Sequence, residues 1–196
     1  MSSIKSDLEL GKRAELVWIE YLKQSRKTGL TYEQAPDRWF PDWDVKDSNG
    51  MTFEVKYDTI ASKTNNYFFE YNNPRSNKLS GLSTTKADWF VYLIRYPSEE
   101  LDIRASVFCS KSLLSHCREA MYPSRKTLRD VQRTDSKTPS SWGGYSAEQL
   151  ADMEAERSKS NAEGWLCNIP RLQKKGKIAG FYKELRIPSY ISSPLL

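Results

Sequence analysis

The stretch spanning residues 40–56 constrains this chain more than any other. Its Asn49-Gly50 pair is a strong hairpin-turn signal, because both residues tolerate positive φ. Trp43 to Lys46 precede the pair and Met51 to Tyr57 follow it, which predicts two strands joined by a tight turn. Side chains alternate along a strand, so Glu54 and Lys56 share one face, while Phe53, Val55 and Tyr57 share the other. The hairpin brings Asp44 towards Glu54. The expected result is two carboxylates and one ammonium on adjacent strands. Oxygen ligands of this kind suit a hard cation such as Mg²⁺. A lysine beside them can hold a water or offset the charge on a phosphate under attack. An ion pair on a solvated hairpin would use the same residue types.

With 196 residues, the chain can build one domain with a substantial core. A net charge of +5 and a pI of about 9.0 permit an anionic partner such as nucleic acid. Cys109, Cys117 and Cys167 are odd in number and lack C-x-x-C spacing, so they read as reduced thiols. His116 is the sole histidine, which excludes chemistries built on several histidines and any His-rich zinc site. It falls among Leu113, Leu114 and Cys117, where a helix-surface histidine is expected. The polar N-terminus and the absence of a span-length apolar run predict no membrane segment and a cytoplasmic location.

Ser6 to Glu9 match a capping box and predict a helix to about Gln24. Leu8, Gly11, Trp18, Ile19 and Leu22 share one side of it, and Glu15 belongs to that same set. A carboxylate on an apolar stripe is a candidate functional group. Strands are expected over 30–33, 67–71, 89–94 and 105–109, the third a buried central strand because its apolar run is continuous. Residues 35–41 and 59–66 read as loop and turn. Ser110 is expected to cap a helix over 111–120. Residues 121–145 form a basic polar segment with Arg125, Lys126, Arg129, Arg133 and Lys137, either a connector or a DNA-facing loop. Residues 146–160 read as a charged helix opened by a capping box. Strands are expected at 164–167 and 181–186. The basic run 173–177 reads as the turn between them, with Lys174 and Lys175 able to touch backbone phosphate.

At Pro41-Asp42, Asp44 and Glu54-Val55-Lys56 the chain resembles the PD-(D/E)xK nuclease superfamily. Asp44 lies ten residues before Glu54 and Asp42 twelve before; Asp44 is favoured because it enters the strand directly. Gly11, Ala14 and Glu15 resemble the G-x-x-A-E opening of the archaeal Holliday junction resolvases. A second set of residues is similar to small phage and mobile-element nucleases of the superfamily: Glu54 to Asp58, Asn65-Asn66, Phe69-Glu70, Ser80-Gly81-Leu82 and Thr85 to Phe90. The likeness covers about Gly11 to Ile94 and departs at the polar insert 72–77.

The resemblance implies an α/β, restriction-endonuclease-like fold, a mixed sheet flanked by helices. The expected divisions are a nuclease core over 1–120, the basic loop over 121–145, and a small α+β extension over 146–196 packed on the core. It implies a divalent-metal-dependent DNA endonuclease, with selectivity for branched or junction DNA suggested by the resolvase-like opening. Glu15, Asp44 and Glu54 would hold Mg²⁺, with Mn²⁺ as substitute, and Lys56 would assist the attacking water. Asp42, Asp58 and Glu70 are supporting or alternative groups. Lys86, Arg125, Lys126, Arg129, Lys174 and Lys175 are the expected DNA contacts. A homodimer fits the resemblance, as does the host cytoplasm for a phage-encoded protein. A restriction-type or exonucleolytic nuclease, or a non-catalytic nucleic-acid-binding module on the same fold, remains open.

Overall fold

The computed structural model describes residues 4–25, 29–37, 40–73, 76–96, 102–120, 125–127 and 162–195. Helix α1 (Ile4–Ser25) leads into strands β1 (Tyr32–Gln34), β2 (Val45–Asp47) and β3 (Thr52–Asp58). A short helix α2 (Ala61–Thr64) precedes β4 (Asn66–Asn73), β5 (Lys78–Leu79) and a 3₁₀ turn (Gly81–Ser83). Strands β6 (Trp89–Arg95) and β7 (Ile103–Cys109) follow, then α3 (Ser110–Glu119) and β8 (Arg125–Thr127). The chain closes with β9 (Glu163–Asn168), α4 (Ile169–Ile178), β10 (Tyr182–Ile187), α5 (Ser189–Ser192) and a second 3₁₀ turn (Ser193–Leu195).

The architecture is mixed α/β. One sheet has the order β1-β2-β3-β6-β7-β10, and a second has the order β5-β4-β9-β8. Only the β3–β6 contact is parallel, which makes the first sheet mixed. Alternation along the strands divides its core. Phe53, Val55, Val91, Leu93 and Ala105 pack against Ala14, Val17, Trp18 and Leu22 of α1. Phe90, Tyr92, Phe108 and Tyr182 face the opposite way, onto Tyr67, Phe69 and Cys167 of the second sheet and onto Leu113 and Leu172 of α3 and α4. No helix among the described residues is long and apolar enough to cross a membrane.

The hairpin forms with a longer turn than the Asn-Gly pair suggests. Only Gly50 takes positive φ, at 88°. The Asp47 carboxylate accepts the N–H groups of Asn49 and Met51, each at 2.9 Å, and so closes a three-residue loop. α1 begins at Ile4, two residues before the expected cap, within the usual fraying of a helix end. Ser110 is the first residue of α3, and Cys109 holds the cap position.

Larger differences fall towards the C-terminus. The run 173–177 is helix, not turn: Pro170 starts α4 without needing an N–H, and Asn168 accepts the Arg171 N–H at 3.2 Å as a cap. Arg125–Thr127, expected in a loop, is a strand on the free edge of β9. β9 pairs with β4, and β10 pairs with β7, so 162–195 supplies strands to both sheets. The remainder of 121–145, with Arg129, Arg133 and Lys137, and the helix expected over 146–160 lie outside the described residues.

Candidate active site

Asp44 sits immediately before β2. The register pairs Val45 with Phe53, and the Asp44 N–H donates to the Phe53 carbonyl at 2.9 Å, so Asp44 continues the contact with β3 one residue before β2. Its Oδ2 accepts the Val55 N–H at 2.7 Å. That N–H points along the plane of the sheet, so the carboxylate occupies a place a neighbouring strand would otherwise take.

The other acids come from two further elements. Glu54 extends from β3, and its Oε2 accepts the Thr85 hydroxyl at 2.8 Å. Glu15 extends from α1, and its Oε2 accepts the Gln34 amide at 2.8 Å. Burial and then the Asp44 charge push Glu54 up to about 8, against the Thr85 hydrogen bond and Lys56. Burial and then Asp44 likewise raise Glu15 to about 7, while Gln34 and Lys12 oppose the rise. Burial raises Asp44 to about 6 although the Val55 N–H favours its charged form. Each carboxylate is thus hard to ionise because it is desolvated, and Glu15 and Glu54 also because another acid is near. Among the described residues, no three Asp, Glu, His or Cys side chains already stand at the spacing of one metal ion. The donor set nevertheless suits a hard divalent cation in kind: three carboxylates, all oxygen.

Lys56 shares the Glu54 face of β3 but leans towards the second sheet. Its Nζ donates to the Phe68 carbonyl at 3.2 Å and lies 5.1 Å from the centre of the Phe68 ring. The same residue is held from its other end, where the Phe68 N–H donates to the Tyr92 hydroxyl at 3.0 Å. Tyr92 in turn donates to Asp58 Oδ2. Asp58 Oδ1 accepts the N–H groups of Ile60 and Ala61 at 2.7 and 3.0 Å, so it caps α2. Asp58 therefore reaches Lys56 through Tyr92 and the Phe68 backbone.

The remaining expected groups take separate places. Asp42 pairs with Lys86 at 2.9 Å, and its carbonyl accepts the Lys86 N–H at 3.0 Å. Asp44, rather than Asp42, thus stands beside Glu54. Lys86 keeps an exposed side chain despite that pair. Glu70 accepts the Ser80 hydroxyl at 2.7 Å and anchors the first 3₁₀ turn. Lys174 and Lys175 are exposed on α4, away from these acids. Thr85 is a site residue that sequence reasoning misses, since an uncharged hydroxyl carries little signal there. The run 80–88 nevertheless ties four positions: Ser80 to Glu70, Thr85 to Glu54, Lys86 to Asp42, and Asp88 to the Thr52 N–H and hydroxyl.

Comparisons with protein-family models, curated proteins and solved structures find no match to this chain.

Proposed function

We propose that the protein is a divalent-metal-dependent DNA endonuclease of restriction-endonuclease-like fold. What supports this reading is that Glu15, Asp44 and Glu54 are all desolvated and that Asp44 lies near enough to raise both glutamates, with Lys56 on the Glu54 face of β3. Acids raised by burial and by a neighbouring acid are characteristic of functional sites, and a cation there would relieve both causes. Glu15, Asp44 and Glu54 would hold the ion. When bound, Mg²⁺ supplies Lewis-acid polarisation of a phosphoryl oxygen and eases deprotonation of a water.

The protein's own groups divide the remaining work. Thr85 fixes the rotamer of Glu54. Lys56, reaching back from the Phe68 carbonyl, offers positive charge on the Glu54 face, where negative charge develops as the phosphodiester is attacked. Lys86, paired with Asp42, would take a flanking phosphate. The proposed products are a 5′-phosphate and a 3′-hydroxyl. Branched or junction DNA is the proposed substrate, on the resemblance of residues 11–15 alone.

The test is single-turnover cleavage of linear, single-stranded, flapped and four-way-junction DNA in Mg²⁺ or Mn²⁺, with binding followed in Ca²⁺. Lys56→Ala should lose on the order of 10²–10³ in rate while binding persists. Glu54→Gln should lose cleavage through weaker metal binding, and extra Mn²⁺ should partly restore it. Full activity in Lys56→Ala overturns the mechanism. DNA binding without any metal-dependent cleavage favours a non-catalytic binding module.

A further inference from the structure

We propose that α4, together with the adjoining end of α3, forms a second docking surface for the phosphate backbone of duplex DNA, on the same sheet face as Glu54. α4 carries Arg171, Lys174, Lys175 and Lys177 and no acidic residue. Its buried side is Ile169, Leu172 and Gly176, so the three- and four-residue spacing sets Arg171, Lys174 and Lys175 together on the outward side, where all are exposed. Lys174 and Lys177 are a like-charged pair three residues apart, and such a pair weakens a helix unless an anion intervenes.

The placement of α4 gives this charge a direction. Across the first sheet Glu54 pairs with Phe90, Phe90 with Phe108, and Phe108 with Tyr182. These four residues form one row on one face. α4 rests on the far end of that row: a Cβ on Gly176 would lie 2.4 Å from the Tyr182 Cβ, so only glycine admits the contact. Three strand spacings, about 15 Å, separate the helix seat from Glu54. α3 faces the same ridge, with the His116 ring 5.7 Å from Phe181. Burial and then Lys175 hold His116 below its ordinary range, with Arg171 acting the same way and Glu119 opposing. The choice of DNA over another polyanion rests on the nuclease reading of the acidic cluster.

Two measurements test the surface. Binding of a 20-base-pair duplex in Ca²⁺ is followed against salt for the wild type and for the combined Arg171→Gln, Lys174→Gln, Lys175→Gln variant. The log–log slope should fall by roughly 0.9 for each phosphate the variant leaves unneutralised, about 2–3 across the three substitutions. Separately, His116, the only histidine, is titrated by NMR in the unaltered protein with and without duplex. Phosphates on the ridge should raise its pKa by offsetting Lys175 and Arg171. An unchanged slope together with an unmoved His116 overturns the docking surface, even if the wild type binds and cleaves DNA. A reduced slope and a raised His116 in a protein that cleaves nothing support the surface and sink the nuclease reading instead.

Discussion

Raising the pH from 6 to 8 should destabilise the metal-free protein, the reverse of the behaviour of a chain whose carboxylates are salt-bridged. Unfolded Asp and Glu titrate near pH 4. In the fold Asp44, Glu15 and Glu54 sit at about 6, 7 and 8. Between these limits the native state binds more protons than the unfolded state, so stability falls as pH rises. Titrated independently, the three groups would cost on the order of 4 kcal/mol over this interval, at about 1.4 kcal/mol per pH unit for each proton retained. Solvent screens Glu15, which is only partly buried, and the expected loss is then on the order of 2–3 kcal/mol. For a domain of this size that is roughly 5–10 °C in Tm. His116 acts in the opposite sense, because burial lowers its pKa, but it is one half-exposed group against three acids. The assay is thermal unfolding at pH 6, 7 and 8 in a chelator. Glu54→Gln should roughly halve the slope, since Glu54 has the highest of the three values and holds its proton longest. Mg²⁺ should stabilise the protein more at pH 8 than at pH 6, because protons compete with the ion for the same oxygens. A Tm that is flat or rising from pH 6 to 8 in chelator, and the same in Glu54→Gln, would refute the desolvated-cluster argument.

Two further outcomes follow from the hydrogen bonds around the site. Thr85→Val removes the hydroxyl that lowers and orients Glu54, so Mn²⁺ affinity measured by titration calorimetry should weaken several-fold while the fold is kept. Tyr92→Phe strips one partner from the buried Asp58–Tyr92–Phe68 chain and should cost about 1–3 kcal/mol in a denaturant melt.

The parts of the structure set by local pattern are legible in the sequence. Glu15 stands out because it interrupts an apolar stripe, of which Trp18, Ile19 and Leu22 join the core around Phe53 and Val55, while Ala14 and Val17, outside that stripe, are buried there too. The alternation at 53–57 places Glu54 and Lys56 together, and the uninterrupted apolar run places β6 in the interior of its sheet, beside β3. What escapes is set by distance along the chain. Nothing near Tyr67 indicates that its strand partner is Cys167, a hundred residues on, so 162–195 reads as an addition to a finished core. α4 reads as a turn because its polar run hides the Ile169, Leu172 and Gly176 spacing, and because Pro170 looks like a breaker where it is an initiator. Thr85 escapes because its role exists only once the 80–88 run folds back over β3.

Asp44 links acids that come from different faces of the sheet. A strand offers alternate side chains to opposite faces, so β3 by itself can serve either α1 or the second sheet at a given position. Glu54 and Lys56 belong to the second-sheet face, and Glu15 comes from the helix on the other. A site confined to one face could not join them. Asp44 reaches past that barrier because its side chain takes the in-plane N–H of Val55 at the edge where β2 begins. For both Glu15 and Glu54, Asp44 is the charge that acts most after burial. Asp44 is therefore the junction of the cluster, one carboxylate sensed from both sides of the sheet. If so, Asp44→Asn should lower the pKa of Glu15 and of Glu54 together, because it deletes the shared charge while an amide oxygen still accepts the Val55 N–H. Carboxyl-resolved NMR titration measures both. A shift confined to one of them would mean that the two acids occupy separate sites and that no single cation joins them.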